Sequence, residues 1–311
     1  MDGKQLQTQY KEHLSDFNNW NQKEHAEDFI LYPKNIGYHL CIDETALSKG
    51  ELYTILTNRD KHGRKGTIVA IVKGTKAEDV INVLLKIDAD KRNQVKEITL
   101  DMAGSMQKIA KRCFPGAMQV VDRFHVSKLV YEAVQDLRIA YRWQVMKDEN
   151  RKIKEAKAKG ESYEPKVFGN GDTLRQLLAR SRYLLFKAPD KWLQSQKVRA
   201  KLLFEQFPDI KSVYYYALRL GKIFSDYTDK DVARAKLALW YNEIEEFGYD
   251  TFTTVANSIE NHYERILNYF VNRSTNAAAE AFNAKIKAFR ASFRGVVDKR
   301  FFLYKLAKVY A

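Results

Sequence analysis

The sequence predicts an α/β fold: a mixed five-stranded sheet with flanking helices, interrupted by a large all-helical insertion. Three observations predict it. Short apolar, β-rich runs crowd the chain before residue 122, and apolar residues at helical spacing dominate from about residue 137 to 270. Two of the strand-like runs close on acids, Asp43 and Asp101, while a third acid, Glu280, stands on a helix-like stretch near the C-terminus.

Each element follows in order. Residues 38–43 form an apolar run ending in acid. Residues 52–56 and 67–72 are two more β-rich runs, and the polar segment 58–64 between them reads as a hairpin loop, so the three strands are expected to be antiparallel. Thr75 with Glu78 three residues on is a capping-box pattern, and Val80, Ile81, Leu84 and Leu85 continue it as a crossover helix. Residues 95–100 make the fourth strand, which delivers Asp101. Residues 105–113 read as a second helix, Pro115-Gly116 as a turn, and residues 118–121 as a fifth strand ending in Asp122.

The following stretch is helical in pattern at 137–146, 174–185, 198–207, 213–224, 232–247 and 252–270, with breaks at 169–172, 188–190, 207–209 and 247–250. The expected organisation is a helical lead (1–35), the first part of a core (36–130), a basic all-helical insertion (131–258) and C-terminal helices that complete the core (259–311). Aromatics of the insertion such as Trp143, Trp192, Tyr214 and Trp240 are expected to be core residues before base-stacking ones.

Composition bounds the function. The 311 residues are 45% apolar and 30% charged, and no apolar stretch approaches the length that spans a bilayer, which excludes a membrane protein. Neither Cys41 nor Cys113 has the Cys/His spacing of a zinc site, and both fall in core-like elements, so a reducing cytoplasm is expected. The net charge of +14 is concentrated: residues 138–222 hold 20 Lys/Arg against 9 Asp/Glu, and residues 273–311 hold 9 against 2. Those two surfaces are the ones suited to a phosphate backbone. The Lys-rich run 151–159 reads equally as an exposed helix, a mobile arm or a DNA contact.

A carboxylate at a strand end is held by rigid backbone, and two adjacent strands bring such groups within reach of one divalent cation. Asp43 and Asp101, with Glu280, therefore make the skeleton of a two-metal phosphoryl-transfer site. On a helix, Asn276, Glu280, Asn283, Ala284 and Lys287 fall on one face, leaving Ala279, Phe282 and Ile286 to pack elsewhere. Lys285, Lys287, Arg290 and Arg294 follow the acid and are placed to hold a scissile phosphate. The alternative is an ordinary amphipathic helix with a polar stripe.

Four ordered blocks resemble a known family: Ile42-Asp43-Glu44-Thr45, Thr99-Leu100-Asp101-Met102-Ala103, Val121-Asp122-Arg123-Phe124-His125-Val126, and the segment 274–287 around Glu280. They resemble the catalytic part of a DDE insertion-sequence transposase of the ISL-three group, in its ISAon-type branch. The resemblance implies a ribonuclease H-like fold, with two Mg²⁺ or Mn²⁺ ions held by Asp43, Asp101 and Glu280. It implies cleavage of double-stranded DNA at element ends and transfer of the 3′-OH into target DNA, by a homo-oligomer in the bacterial cytoplasm that is nucleoid-associated when bound.

The Asp-Arg-Phe-His string resembles an auxiliary element of several such families. Asp122 and His125 are its accessory candidates, as a further ligand, a hydrogen-bond partner of a ligand, a DNA contact, or simply local structure. Arg123 joins Asn276, Asn283, Lys285, Lys287, Arg290 and Arg294 as expected DNA contacts. Only about 35 residues precede the first strand, so either a separately encoded partner recognises the element ends, as the resemblance implies, or the copy is truncated. Two other readings stay open: a ribonuclease H-like nuclease without strand transfer, and a transposase-derived DNA-binding protein without catalysis.

Overall fold

The computed structural model describes residues 3–48, 50–248, 250–275, 277–293 and 295–311. Two compact units divide the chain: residues 1–122 with 264–311, and residues 123–263.

The first unit runs α1 (Gly3–Gln9), β1 (Phe29–Leu31), β2 (His39–Ser48), β3 (Glu51–Asn58), β4 (Ile68–Lys73), α2 (Ala77–Leu84), α3 (Ala89–Asn93), β5 (Glu97–Leu100), α4 (Gly104–Cys113) and β6 (Met118–Val121). Its sheet has the order β1-β4-β3-β2-β5-β6. The β1–β4, β4–β3 and β3–β2 pairs are antiparallel, whereas β5 joins β2, and β6 joins β5, in parallel. This mixed sheet with flanking helices is consistent with a ribonuclease H-like fold. β4 is an apolar run buried from Ile68 to Val72, and β5 is buried throughout although it carries Glu97 and Thr99.

Three details differ from the sequence-based expectation. Among the described residues the sheet has six strands, not five: β1 lies in the segment expected to be a helical lead, where Ile30 pairs with Ile71. Three residues are too few to show an alternating pattern. β2 does not close on Asp43 but continues to Ser48, with Glu44 opposite Thr54 and Ala46 opposite Leu52. Consecutive acids are poor strand formers, and here cross-strand pairing overrides that preference. The Thr75/Glu78 capping box does not form, because α2 starts after Lys76, which makes no side-chain cap.

The second unit opens with α5 (Arg123–Ala158), one continuous helix of 36 residues, followed by α6 (Leu174–Arg180), α7 (Gln194–Gln206), α8 (Pro208–Asp226), α9 (Lys230–Phe247) and α10 (Asp250–Asn261). Thr173 and Gln176 make a reciprocal capping box on α6, Pro208 opens α8, and the Asp229 carboxylate caps α9 through the amides of Asp231 and Val232. Val126, Val130, Val134 and Leu137 bury the first half of α5, whereas its Lys-rich end is exposed. Trp240 and Tyr214 are buried core residues; Trp143 is 58% exposed.

The chain then passes through α11 (Tyr263–Leu267) and α12 (Tyr269–Asn272) to α13 (Ala277–Ser292) and α14 (Lys299–Tyr310) in the first unit. Phe282 and Ile286 of α13 pack with Phe302, Leu303 and Leu306 of α14 against Ile30, Tyr53, Ile55 and Ile71 of the sheet. Burying each such side chain is worth about 1.5–3 kcal/mol. No helix among the described residues is long and apolar enough to cross a membrane.

Candidate active site

β2 and β5 bring two acids together. Their parallel register pairs His39 with Glu97, Leu40 with Ile98 and Cys41 with Thr99. Carried two residues further, it sets Asp43 beside Asp101, the first residue past β5, on adjacent strands about 5 Å apart. Asp43 also sits opposite Ile55 of β3, and directly paired residues share a face. Since Ile55 packs in the cluster that contains Phe282 and Ile286, Asp43 faces α13.

Short hydrogen bonds fix both carboxylates. The Glu44 amide donates to Asp43 Oδ1 at 2.8 Å, and the Asn283 amide nitrogen donates to Asp43 Oδ2 at 2.7 Å. The Ala103 amide donates to Asp101 Oδ1 at 2.8 Å, in the turn that leads into α4. These bonds fix the direction in which each carboxylate points. Negative charge accumulates here: burial, then the charges of Asp101 and Asp43, raise the Glu44 carboxyl above its usual range. Burial pushes the neighbouring Cys41 thiol up as well, with Asp43 adding to it, and burial pushes Cys113 up to about 11. Neither thiol is an activated nucleophile.

Hard oxygen donors under a strong negative field suit Mg²⁺ or Mn²⁺, and Asp43 and Asp101 fit such an ion on that ground. Among the described residues, no three His, Cys, Asp or Glu side chains come close enough to hold one ion. Glu280 is exposed on α13, one helical turn before Asn283. The structure therefore carries the first two acids on neighbouring strands, and brings the helix of the third to Asp43 through Asn283.

The expected packing of α13 is present: Ala279, Phe282 and Ile286 are its buried stripe. Its polar residues divide. Lys285 Nζ donates to the Gly63 carbonyl at 2.9 Å, and Arg290 Nη1 donates to the Leu47 carbonyl at 3.2 Å, so both are engaged within the protein. Lys287 is exposed, whereas Asn276 and Arg294 lie outside the described residues. Asp122 is buried just beyond β6, its amide donating to Leu100 O at 3.1 Å. Arg123 and His125 belong to α5 of the second unit, where His125 meets the exposed Phe124 ring edge-on at 5.8 Å.

Two features escaped sequence reasoning. One is the direct partnership of Asn283 with Asp43, 240 positions apart; the only local signal was its place one turn after Glu280. The other is a buried ion pair at the opposite end of β5. Arg59 lies 2.7 Å from Glu97 Oε1, and the Asn272 amide donates to Oε2 at 2.9 Å. Burial would raise the Glu97 carboxyl, but Asn272, Ser274 and the Arg59 guanidinium hold it below the usual range.

Comparison with known proteins gives one positive finding. The family model for DDE transposases of the ISL-three group, described as a transposase, matches residues 40–306. No curated protein matches the chain.

Proposed function

The chain belongs to the DDE transposases of the ISL-three group, and on that premise we propose that it cuts DNA at the ends of an insertion sequence and joins the freed 3′-OH to target DNA. One observation supports the proposal: Asp43 lies on β2 and Asp101 just past the end of β5, the parallel neighbour of β2, and the helix bearing Glu280 is hydrogen-bonded to Asp43. Asp43, Asp101 and Glu280 would hold two Mg²⁺ or Mn²⁺ ions. Bound there, the ions supply Lewis acidity for the attacking water or 3′-hydroxyl and neutralise charge on the leaving oxygen.

The protein's own share is alignment. Backbone amides of Glu44 and Ala103 orient the two aspartates, and the buried stripe of α13 packs the helix that carries Glu280 on the sheet. Lys287, on the same side of α13 as Glu280, and the exposed lysines of α5 follow the phosphate backbone. Following the ISAon-type resemblance, a separately encoded protein recognises the element ends, and the active species on DNA is a homo-oligomer. Asp122, buried just beyond β6 in the same unit, is the accessory candidate beside the three acids.

The test is a cleavage and joining assay on a duplex carrying the element's inverted repeat, with Mg²⁺, Mn²⁺ or EDTA, for the natural chain and Asp43→Asn, Asp101→Asn and Glu280→Gln. Metal-dependent joined products, lost in each variant, are expected. Shortened strands without joined products would make the chain a nuclease alone; full activity in any variant removes that residue from the site.

A further inference from the structure

We infer that Asn283, Lys285 and Arg290 form a register lock that sets where Glu280 stands relative to Asp43, and that they do not serve as DNA contacts. The inference rests on the proposed metal-holding role of Glu280. Three ties carry it: Asn283 to Asp43 Oδ2 at 2.7 Å, Arg290 to the Leu47 carbonyl at 3.2 Å, and Lys285 to the Gly63 carbonyl at 2.9 Å.

Two of the ties have matched spacing. Asn283 and Arg290 are seven residues apart, about 10 Å along a helix. Asp43 and Leu47 are four residues apart on β2, about 13 Å along a strand. The helix thus runs alongside the strand and is pinned at two levels. A slip of one helical turn, about 5 Å, breaks both ties at once.

The third tie is lateral. Gly63 has φ +72° in the β3–β4 loop, and a side chain there would place its Cβ 2.7 Å from Lys285 Nζ. The ammonium therefore lies directly against this turn. Apolar packing of Phe282 and Ile286 is non-directional and fixes the face of α13 but not its position along the strand. Directional hydrogen bonds to a carboxylate and to backbone carbonyls fix the position. Asn283 is thus a positioning residue for Glu280, and among these cations Lys287 is left to meet phosphate.

Three measurements on the full chain test this. Amide hydrogen exchange across α13 reads the lock, the salt dependence of DNA binding without divalent metal reads phosphate contacts, and calorimetric Mn²⁺ binding reads the position of Glu280. Lys285→Ala and Arg290→Ala should each speed α13 exchange about tenfold and leave the salt slope unchanged. Lys287→Ala should lower the slope by about one and leave exchange unchanged. Asn283→Ala should alter Mn²⁺ affinity in the natural background and have no effect in a Glu280→Gln background. A slope reduced by about one in Lys285→Ala or Arg290→Ala with α13 protection intact would overturn the lock, as would unchanged exchange in both. If Glu280→Gln itself leaves Mn²⁺ binding untouched, the metal-site reading fails, while exchange and salt slope still decide the lock.

Discussion

Asp172 of the helical unit and Asp43 of the sheet unit are held in opposite ways. Asp172 is fully buried and accepts from Arg180, from Arg199 Nε at 2.8 Å and from Asn170 Nδ2 at 2.8 Å. Burial would raise its carboxyl, but the two guanidiniums keep it below the usual range. Asp43 is half-buried and accepts from two neutral amides, those of Glu44 and Asn283. β5 repeats the contrast within one strand: Glu97 at its start is matched by Arg59, while Asp101 just past its end accepts from the Ala103 amide. A carboxylate bonded by guanidinium has its charge met inside the fold. A carboxylate oriented by amide donors, as Asp43 is by Glu44 and Asn283 and Asp101 by Ala103, is aimed by those bonds without being neutralised by them.

The largest effects should separate these two kinds of acid. Asp43→Asn and Asp101→Asn should cut DNA cleavage by about a thousandfold or more, because each loses a charged metal donor. Their melting temperatures should change little. Asp172→Ala should do the reverse, leaving two arginines and the Asn170 amide without their shared carboxylate and destabilising the helical unit by about 1–3 kcal/mol. Cleavage and thermal melting measured on the same preparations test this; Asp43→Asn melting as early as Asp172→Ala would break the comparison.

The matched acids also predict a pH dependence. The Glu97 carboxyl is depressed in the folded chain, so its stabilising contribution is fully present above the unfolded value near 4.3 and is lost as pH falls through the folded value. The gap in melting temperature between the natural chain and Glu97→Gln should therefore be widest near neutral pH and narrow below about pH 4. A gap that stays constant from pH 7 to pH 3 would mean that Glu97 acts through packing alone.

Much of this was legible in the sequence, for identifiable reasons. β3 to β6 are apolar runs bounded by turns, and the buried face of α13 follows from the spacing of Ala279, Phe282 and Ile286. Asp101 appeared at a strand end because Leu100 is the last apolar residue of its run. The continuation of β2 past Asp43 was hidden, because pairing with β3 is a tertiary fact that local preference opposes. The full length of α5 was hidden for a similar reason: its exposed Lys-rich half carries no apolar stripe and is held by helix propensity and local charge. Basic residues near Glu280 were read as one DNA-facing group, yet Lys285 and Arg290 are turned onto backbone carbonyls. Composition gives a charge its sign but not its partner.

The smallest predicted effect tests whether charge matching or burial makes an acid structural. Arg219 and Glu243 form a two-pronged ion pair on the surface of the helical unit, with side chains 47% and 39% exposed. The pairing holds Glu243 below the usual carboxylate range, yet water and salt screen both partners. A double-mutant cycle with Arg219→Ala and Glu243→Ala should give a coupling of no more than about 1 kcal/mol, smaller still at high salt. The cycle is needed because Arg219 also lies over the Tyr216 ring at 5.7 Å, so the single substitution mixes lost packing with lost charge. A coupling equal to that of Asp172 with its arginines would show that matched charge alone confers the structural role. The expected small value assigns that role to burial, which makes the guanidiniums necessary at Asp172 and optional at Glu243.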